Sequence, residues 1–156
     1  MRPTICLDLD GVLAEYHGWR GIEHIGEPIE GAVEFSKQLA EFAKIIVYTT
    51  RCKEYPGNTP APPGAAAIDR RCVEELACIV ERWLKKHGFA YDEIYTGQGK
   101  PFAVCYIDDR AITCQPQEFE PAFAYGLAVK KAKQSCDKLR KQDISPTLQQ
   151  DSEAKP

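Results

Sequence analysis

The stretch that decides the fold is Ile5-Cys6-Leu7-Asp8-Leu9-Asp10-Gly11-Val12-Leu13. Alternate residues of a strand point to the same side, so Asp8 and Asp10 share one side. A carboxylate buried without a partner costs on the order of several kcal/mol, which favours both acids at the strand's carboxyl end, where they share a metal ion. The alternative, from this stretch alone, is a β-turn at Asp10-Gly11 that only reverses the chain.

Length and charge narrow the possible functions. The chain has 156 residues, enough for one domain with a single core. Its 20 basic and 23 acidic residues give no bulk electrostatic reason to bind nucleic acid or an anionic membrane. No apolar run approaches the roughly 18 residues of a membrane span, and no charged segment leads into an apolar signal core at the N-terminus. We therefore expect a cytoplasmic protein that acts on neither nucleic acid nor membrane.

The cysteines and histidines predict neither a disulfide framework nor a zinc site. The number of cysteines is odd, with no Cys-x-x-Cys pair, which is typical of free thiols in a reducing cytoplasm. The histidines, at 17, 24 and 87, lack zinc-ligand spacing. The cysteines are Cys6, Cys52, Cys72, Cys78, Cys105, Cys114 and Cys136.

The segments after the first strand alternate between helix and strand patterns. Residues 14–30, rich in glycine and aromatic side chains, predict a flap that overhangs the carboxylates. Apolar spacing predicts a helix over 31–43 and a buried strand over 45–48. Residues 54–67 contain too many prolines and glycines for regular structure and predict a long exposed loop. A helix over 68–87 follows, with Gly88 as its stop.

The second half of the chain predicts further strands and one more helix. We expect a short strand near 93–95, a third buried strand over 102–107 and a short edge strand over 112–114. A helix is predicted from about 121 to 141, followed by a disordered polar tail over 142–156. The alternation predicts one α/β domain, residues 1–141, with a parallel sheet and helices on both faces.

Polar residues end three of the predicted strands. Asp8 and Asp10 end the first, Thr49-Thr50-Arg51 follow the second, and Asp108-Asp109-Arg110 follow the third, with Lys100 shortly before. Ligands of open parallel sheets bind at the carboxyl ends of the strands. Four clustered acids repel one another, so we expect Mg²⁺ bound through oxygen, with Lys100 balancing charge.

These residues, in this order, resemble the motifs of the haloacid dehalogenase-like (HAD) phosphohydrolase superfamily. Its motifs run Asp-x-Asp-Gly on the first strand, Ser or Thr ending the second, then Lys, then paired acids, and the resemblance covers roughly residues 4–114. It implies a three-layer α/β/α Rossmann-like fold and a magnesium-dependent phosphomonoester hydrolase. The substrate would be a small phosphorylated metabolite, such as a sugar phosphate or a nucleotide.

The resemblance also implies a role for each site residue. Asp8 would be the nucleophile that forms an aspartyl-phosphate, and Asp10 the general acid and base. Thr49 would bind phosphoryl oxygens, although the adjacent Thr50 leaves the register open by one residue. Lys100 would neutralise charge at the nucleophile and the phosphoryl group. The resemblance further implies metal binding by Asp108 and Asp109 together with Asp8 and the backbone carbonyl of Asp10. Because Arg51 and Arg110 directly follow two of the site-forming strand ends, we expect them, with Gly11 and Thr50, to bind substrate.

Two alternatives stand beside this interpretation. A receiver domain of two-component signalling also uses paired acids, a threonine and Lys-Pro, but there the Lys-Pro comes last, whereas Lys100-Pro101 precedes Asp108-Asp109 here. A non-catalytic protein of the same fold could hold magnesium or a phosphorylated ligand. For the two arginines, the alternative to substrate contact is pairing with surface acids.

The sequence leaves no room for a separate cap domain. The gap at 14–48 holds a flap and one helix, and the gap at 52–99 holds the Pro-rich loop, one helix and a short strand. A phosphoryl-transfer site works best with water excluded. We therefore expect cover from the chain's own loops, with Tyr16 and Trp19 in the flap, or from a homo-oligomer.

Overall fold

A computed structural model describes residues 2–53, 72–115 and 117–143, with the backbone alone over 135–143. The chain divides into two compact units, Met1–Asp109 and Arg110–Pro156, and each is described by itself. The predicted Pro-rich loop at 54–67 and most of the predicted tail lie outside the described residues.

The first unit contains a four-stranded parallel sheet, which confirms the mixed α/β prediction. The strands lie in the order β3-β2-β1-β4. Their bounds are β1 Thr4–Leu7, β2 Lys44–Val47, β3 Glu93–Ile94 and β4 Cys105–Ile107. In the register of the sheet, Leu7 lies beside Val47 on one side and Ile107 on the other.

Two helices of the first unit pack against one face of this sheet. They are α1, Ala32–Phe42, and α2, Val73–His87. Both contribute to one apolar cluster with β1 and β2, whose members include Leu7, Val47, Leu39 and Leu84. The chain steps in one direction from β1 to β2 to β3, and right-handed crossovers then place both helices on the same face. The first unit thus shows a helix layer and a sheet layer in its described residues, and the third predicted layer stays a prediction.

The ends of these helices follow from local chemistry. Gly31, with φ 79°, precedes α1, and Gly88, with φ 76°, ends α2 as predicted. Both torsions lie in the left-handed region that glycine adopts without a Cβ penalty. The buried Ser36 hydroxyl donates to the Val33 carbonyl at 2.7 Å and accepts from the Ala90 N–H at 3.0 Å. This hydroxyl therefore joins α1 to the chain that leaves α2.

Two predictions for the second half of the chain are corrected. β4 begins at Cys105 rather than at 102, and the side chain of Phe102 is 96% exposed. Residues 112–114, which the structure describes, form no strand, so the predicted edge strand is wrong. An apolar run predicts a buried strand only where a neighbouring element covers its side chains.

The second unit contains α3, Pro121–Asp143, which begins at the predicted proline. The Glu120 carboxylate accepts from the N–H groups of Ala122 at 3.2 Å and Phe123 at 2.7 Å, which stabilises the first turn. The helix extends two residues beyond the predicted end. Within the described part of the chain, no helix has the length and apolar character needed to cross a membrane.

Candidate metal and phosphate site

The sheet topology places two predicted site residues side by side. The chain leaves β1 toward β2 and β3 and then returns to β4 on the other side of β1. Strands β1 and β4 therefore flank the point where the winding direction reverses, which is where open α/β sheets bind ligands. Asp8 and Asp108 come directly after these two strands, and the Asp8 N–H donates to the Ile107 carbonyl at 2.9 Å.

Three of the four predicted metal ligands come together at this point and form the acidic triad: Asp8, Asp108 and Asp109. Each offers a carboxylate oxygen, and these oxygens all lie within 4.8 Å of one another. Asp8 is half-buried, while Asp108 and Asp109 are exposed. Two oxygens on opposite sides of Mg²⁺ are about 4.2 Å apart, because each Mg–O distance is about 2.1 Å. The triad therefore fits a magnesium ion after a small closure of its side chains.

Electrostatics in the triad also favours a cation. The pKa of Asp8 is raised to about 7, chiefly because burial disfavours the charged carboxylate. The backbone N–H of Leu9, which donates to Asp8 Oδ1 at 2.7 Å, opposes this effect, while the negative charges of Asp108, Asp10 and Asp109 add to it. A bound divalent cation would reverse the balance and hold Asp8 ionised.

Asp109 lies so close to the backbone of Gly11 that a side chain at this position would have no room. Its φ is 84°, and a Cβ at this position would lie 2.6 Å from Asp109 Oδ2. Immediately after it, the N–H groups of Leu13 and Ala14 both donate to the Leu9 carbonyl at 2.9 Å. This tight turn brings the backbone of Gly11 against the acid, so the structure gives Gly11 a packing role beside its predicted place in substrate binding.

Asp10, the second acid of the Asp-x-Asp-Gly motif, has a different environment from Asp8. Arg51 Nε donates to Asp10 Oδ2 at 2.7 Å, and Arg51 Nη2 donates to Asp10 Oδ1 at 2.8 Å. The Arg51 side chain is 2% exposed and the Asp10 side chain 13%. This two-bond geometry is the strongest form of carboxylate pairing with arginine.

The flap supplies the remaining partners of Arg51. Arg51 Nη1 donates to the carbonyls of Gly21 at 3.3 Å and Ile22 at 3.2 Å, and Nη2 donates to the His24 carbonyl at 3.0 Å. The guanidinium also lies 5.0 Å from the ring centroid of Trp19. All five N–H donors of the arginine are therefore used. Sequence reasoning expected Arg51 to contact substrate and missed this role as the link between the flap and Asp10.

The flap itself packs on α2. Ile22 is buried in a cluster with Leu76 and Ile79, against which Trp19 also packs. The indole N–H of Trp83 donates to the Gly26 carbonyl at 3.1 Å. These contacts fix the flap carbonyls that hold Arg51. That the flap overhangs the carboxylates stays a prediction.

Of the two candidate threonines, Thr49 is buried and Thr50 is exposed. Thr49 Oγ1 accepts from the Arg51 N–H at 3.3 Å and caps the 3₁₀ turn Thr50–Cys52. A hydroxyl that accepts one hydrogen bond still has a proton to donate, so Thr49 keeps the capacity to bind an oxygen of a ligand. Thr50 presents its side chain to solvent at the same strand end.

The two remaining cationic side chains of the predicted site, those of Lys100 and Arg110, have different surroundings. Lys100 Nζ is 3.8 Å from the ring centroid of Tyr106, a cation–π contact, and Tyr106 hydrogen-bonds through its hydroxyl to the Pro101 carbonyl. Arg110 is exposed and belongs to the second unit. The structure therefore assembles the triad and the Asp10–Arg51 pair in the first unit, and it gives Lys100 an aromatic neighbour.

Comparison with known proteins adds nothing to this site. No family model, curated protein or solved structure matches the chain. The chemistry of the site therefore follows from its own residues and their geometry.

Proposed function

We propose that this chain is a magnesium-dependent phosphomonoester hydrolase of the HAD-like superfamily that works through an aspartyl-phosphate on Asp8. The observation that carries the proposal is the acidic triad at the winding reversal between β1 and β4. The order of its motifs along the chain supports the same assignment. We also propose the three-layer Rossmann-like fold, the cytoplasmic location and the small phosphorylated substrate that this assignment implies.

Magnesium would be held by the triad. When bound, it supplies positive charge that offsets both the three carboxylates and the phosphoryl oxygens. The donor set fits because carboxylate oxygens are the ligands that Mg²⁺ prefers. The open, exposed side of Asp108 and Asp109 leaves room for a phosphate beside them.

The reaction has two displacements. In the first, a carboxylate oxygen of Asp8 attacks phosphorus, the ester P–O bond breaks, and the leaving oxygen takes a proton from Asp10. In the second, water gives a proton to Asp10 and attacks phosphorus, the bond between phosphorus and Asp8 breaks, and inorganic phosphate leaves. Thr49 and Lys100 would bind the transferring phosphoryl oxygens, Thr49 by hydrogen bond and Lys100 by charge.

Arg51 constrains the role of Asp10 in this scheme. Both Asp10 oxygens accept hydrogen bonds from Arg51. The ionised form is the one that accepts a proton from water in the second displacement. In the first displacement Asp10 must be protonated, so one bond to Arg51 has to open during turnover.

The same contact favours a second candidate function. An acid held by two bonds to a buried arginine is suited to a rigid site that binds magnesium or a phosphorylated ligand without turnover. Because hydrolysis needs Asp10 to exchange a proton and binding does not, turnover separates the two candidates.

The test is phosphate release from a broad panel of phosphomonoesters by the purified full chain, with and without Mg²⁺. We expect turnover that EDTA abolishes and that Asp8→Asn removes. The matched control is Glu34→Gln, an exposed carboxylate on α1. Magnesium binding with no turnover of any ester would support the binding protein, and full activity in metal-free buffer would contradict the metal assignment.

A further inference from the structure

A cavity of about 270 Å³ opens beside the proposed site. It lies where β2 and β3 end and α2 begins, with Lys53 after β2, Glu74 in the first turn of α2, and Thr96, Gly97 and Gln98 after β3. All of these residues belong to the first unit, as the acidic triad does. The cavity and the triad therefore share the carboxyl edge of one parallel sheet.

The spacing between cavity and triad suits a small leaving group. Neighbouring strands are about 4.8 Å apart, so β3 lies roughly 10 Å from β1 across the sheet. A phosphate at Asp8 would place the rest of its ester over the end of β2, with its far end in the cavity. The volume exceeds what one monosaccharide ring needs and lies just below the range of roughly 300–1,000 Å³ that is typical of ligand pockets.

The lining is suited to hydroxyl groups. Lys53 donates hydrogen bonds, the Glu74 carboxylate accepts them, and the Gln98 amide and Thr96 hydroxyl do both. Each hydroxyl of a sugar or polyol also donates and accepts. Among the described lining residues none is aromatic, so none of them offers a ring on which a nucleobase could stack.

Tight packing holds this lining in place. Tyr95 Oη donates to the Gln98 carbonyl at 2.9 Å, and a Cβ on Gly97 would lie 2.8 Å from the Tyr95 ring. Tyr95 packs edge to face on Tyr48, whose hydroxyl oxygen accepts from Lys53 Nζ at 3.0 Å. The Gln98 carbonyl and the Lys53 ammonium, which these contacts hold, therefore lose little freedom when a ligand binds.

We propose that this cavity binds the hydroxyl-rich leaving group of a sugar or polyol phosphate, an inference that rests on the proposed hydrolase function. Selectivity then comes from the ends of β2 and β3, whereas the chemistry takes place at the ends of β1 and β4. Lys53 and Gln98 set which ester is preferred without touching the phosphoryl group.

Kinetics with matched substrates tests this division. The panel is hexose and pentose monophosphates, nucleoside monophosphates and p-nitrophenyl phosphate, with wild type, Gln98→Ala and Thr96→Val. We expect each variant to lower kcat/KM for the preferred sugar phosphate by about five- to tenfold, the loss of one hydrogen bond, and to leave p-nitrophenyl phosphate unchanged. The control Gln38→Ala, on an exposed position of α1, should change neither.

A binding experiment separates failure of this inference from failure of the hydrolase proposal. Free hexose or pentose at millimolar concentration is titrated into the wild-type chain while backbone amide resonances are recorded. Shifts at Thr96, Gly97 and Gln98 that Gln98→Ala weakens support the cavity assignment, whether or not any ester is hydrolysed. A preference for nucleotides, equal losses for p-nitrophenyl phosphate, or sugar that leaves these amides unmoved would overturn it.

Discussion

Asp8 and Asp10 lie two residues apart in the segment that follows β1, yet their surroundings are opposite. Asp8 faces two further acids, and its pKa is raised to about 7 by burial and by their charge. Asp10 is held by two bonds to a buried arginine that the flap fixes from behind. Asp8 lies among acids whose charge a bound cation would balance, whereas Asp10 already has a cationic partner in Arg51.

The two carboxylates of the Asp-x-Asp motif therefore have separate environments, although one residue lies between them in the chain. An arginine beside Asp8 would occupy the place of the proposed metal ion, and a metal ion beside Asp10 would compete with the proton transfer that we propose for it. Because the arginine pairs with Asp10, the acidic triad stays available for a metal ion that can bind and dissociate. Substitutions that alter the surroundings of only one of these two carboxylates can test this difference.

The largest expected effect is on the buried pair. Arg51→Ala leaves Asp10 and three flap carbonyls without their donor and should lower the free energy of unfolding by about 3–5 kcal/mol, because the pair is buried. Urea denaturation of the wild-type and variant chains measures this change. Arg82→Ala, an exposed arginine on α2, is the control and should change stability by less than about 0.5 kcal/mol.

The thiol of Cys52 gives a second readout for the same variant. It lies next to Arg51, and burial raises its pKa to about 12, so it should resist alkylation at pH 8 in the folded wild-type protein. In Arg51→Ala, a loosened flap exposes Cys52 and alkylation becomes fast. Unchanged stability together with unchanged Cys52 protection would show that the pair does not hold the flap.

A smaller effect is expected at Gly11. Gly11→Ala puts a Cβ 2.6 Å from Asp109 Oδ2 and forces a residue with φ 84° to carry a side chain, which should displace Asp109 and weaken magnesium binding. Gly18→Ala is a matched control, because Gly18 also has a positive φ, 103°, but a Cβ there meets nothing within 4 Å. Both variants should lose about 1–2 kcal/mol of stability from backbone strain, and only Gly11→Ala should lose metal affinity in a calorimetric titration. Equal affinities would contradict the packing role.

The free energy of unfolding of the metal-free protein should also depend on pH. The folded pKa of Asp8, about 7, lies above its unfolded value near 3.8, so the folded state binds the extra proton between these values. The stabilisation from Asp8 is therefore complete below pH 4 and is lost as pH rises through 7. Unfolding measured in EDTA at pH 5 and pH 8 should show this fall in the wild type and less of it in Asp8→Asn. The same fall in both proteins would assign it to other groups.

The sequence predicted the acids better than the arginine, for a physical reason. A parallel sheet brings strand ends together whatever the loops do, so Asp8 and Asp108 meet once β1 and β4 are neighbours. The five donors of Arg51 depend on which flap carbonyls turn inward, and that follows from the packing of Ile22 and Trp19 on α2. No local sequence pattern predicts which flap carbonyls turn toward Arg51.

The sequence also did not predict which apolar residues are buried. The run from 102 to 107 has the composition of a strand, yet the strand comprises only Cys105–Ile107, and Phe102 is exposed. Gly88 was predictable because a left-handed residue ends many helices, and the structure confirms it. The role of Gly11 was hidden, because the approach of Asp109 comes from a strand end almost one hundred residues later.

Magnesium affinity of single-carboxylate variants tests the central claim, that Asp8, Asp108 and Asp109 form an exchangeable cation site while Asp10 is neutralised by Arg51. Calorimetric titration of Mg²⁺ into the folded full chain should show binding that Asp8→Asn, Asp108→Asn and Asp109→Asn each weaken by about tenfold or more. Asp10→Asn keeps its backbone carbonyl and loses only its pairing with Arg51, so its affinity should stay within about threefold of wild type. Loss of affinity in Asp10→Asn equal to that in the triad variants, or wild-type protein that takes up no Mg²⁺ at millimolar concentration, would contradict the account.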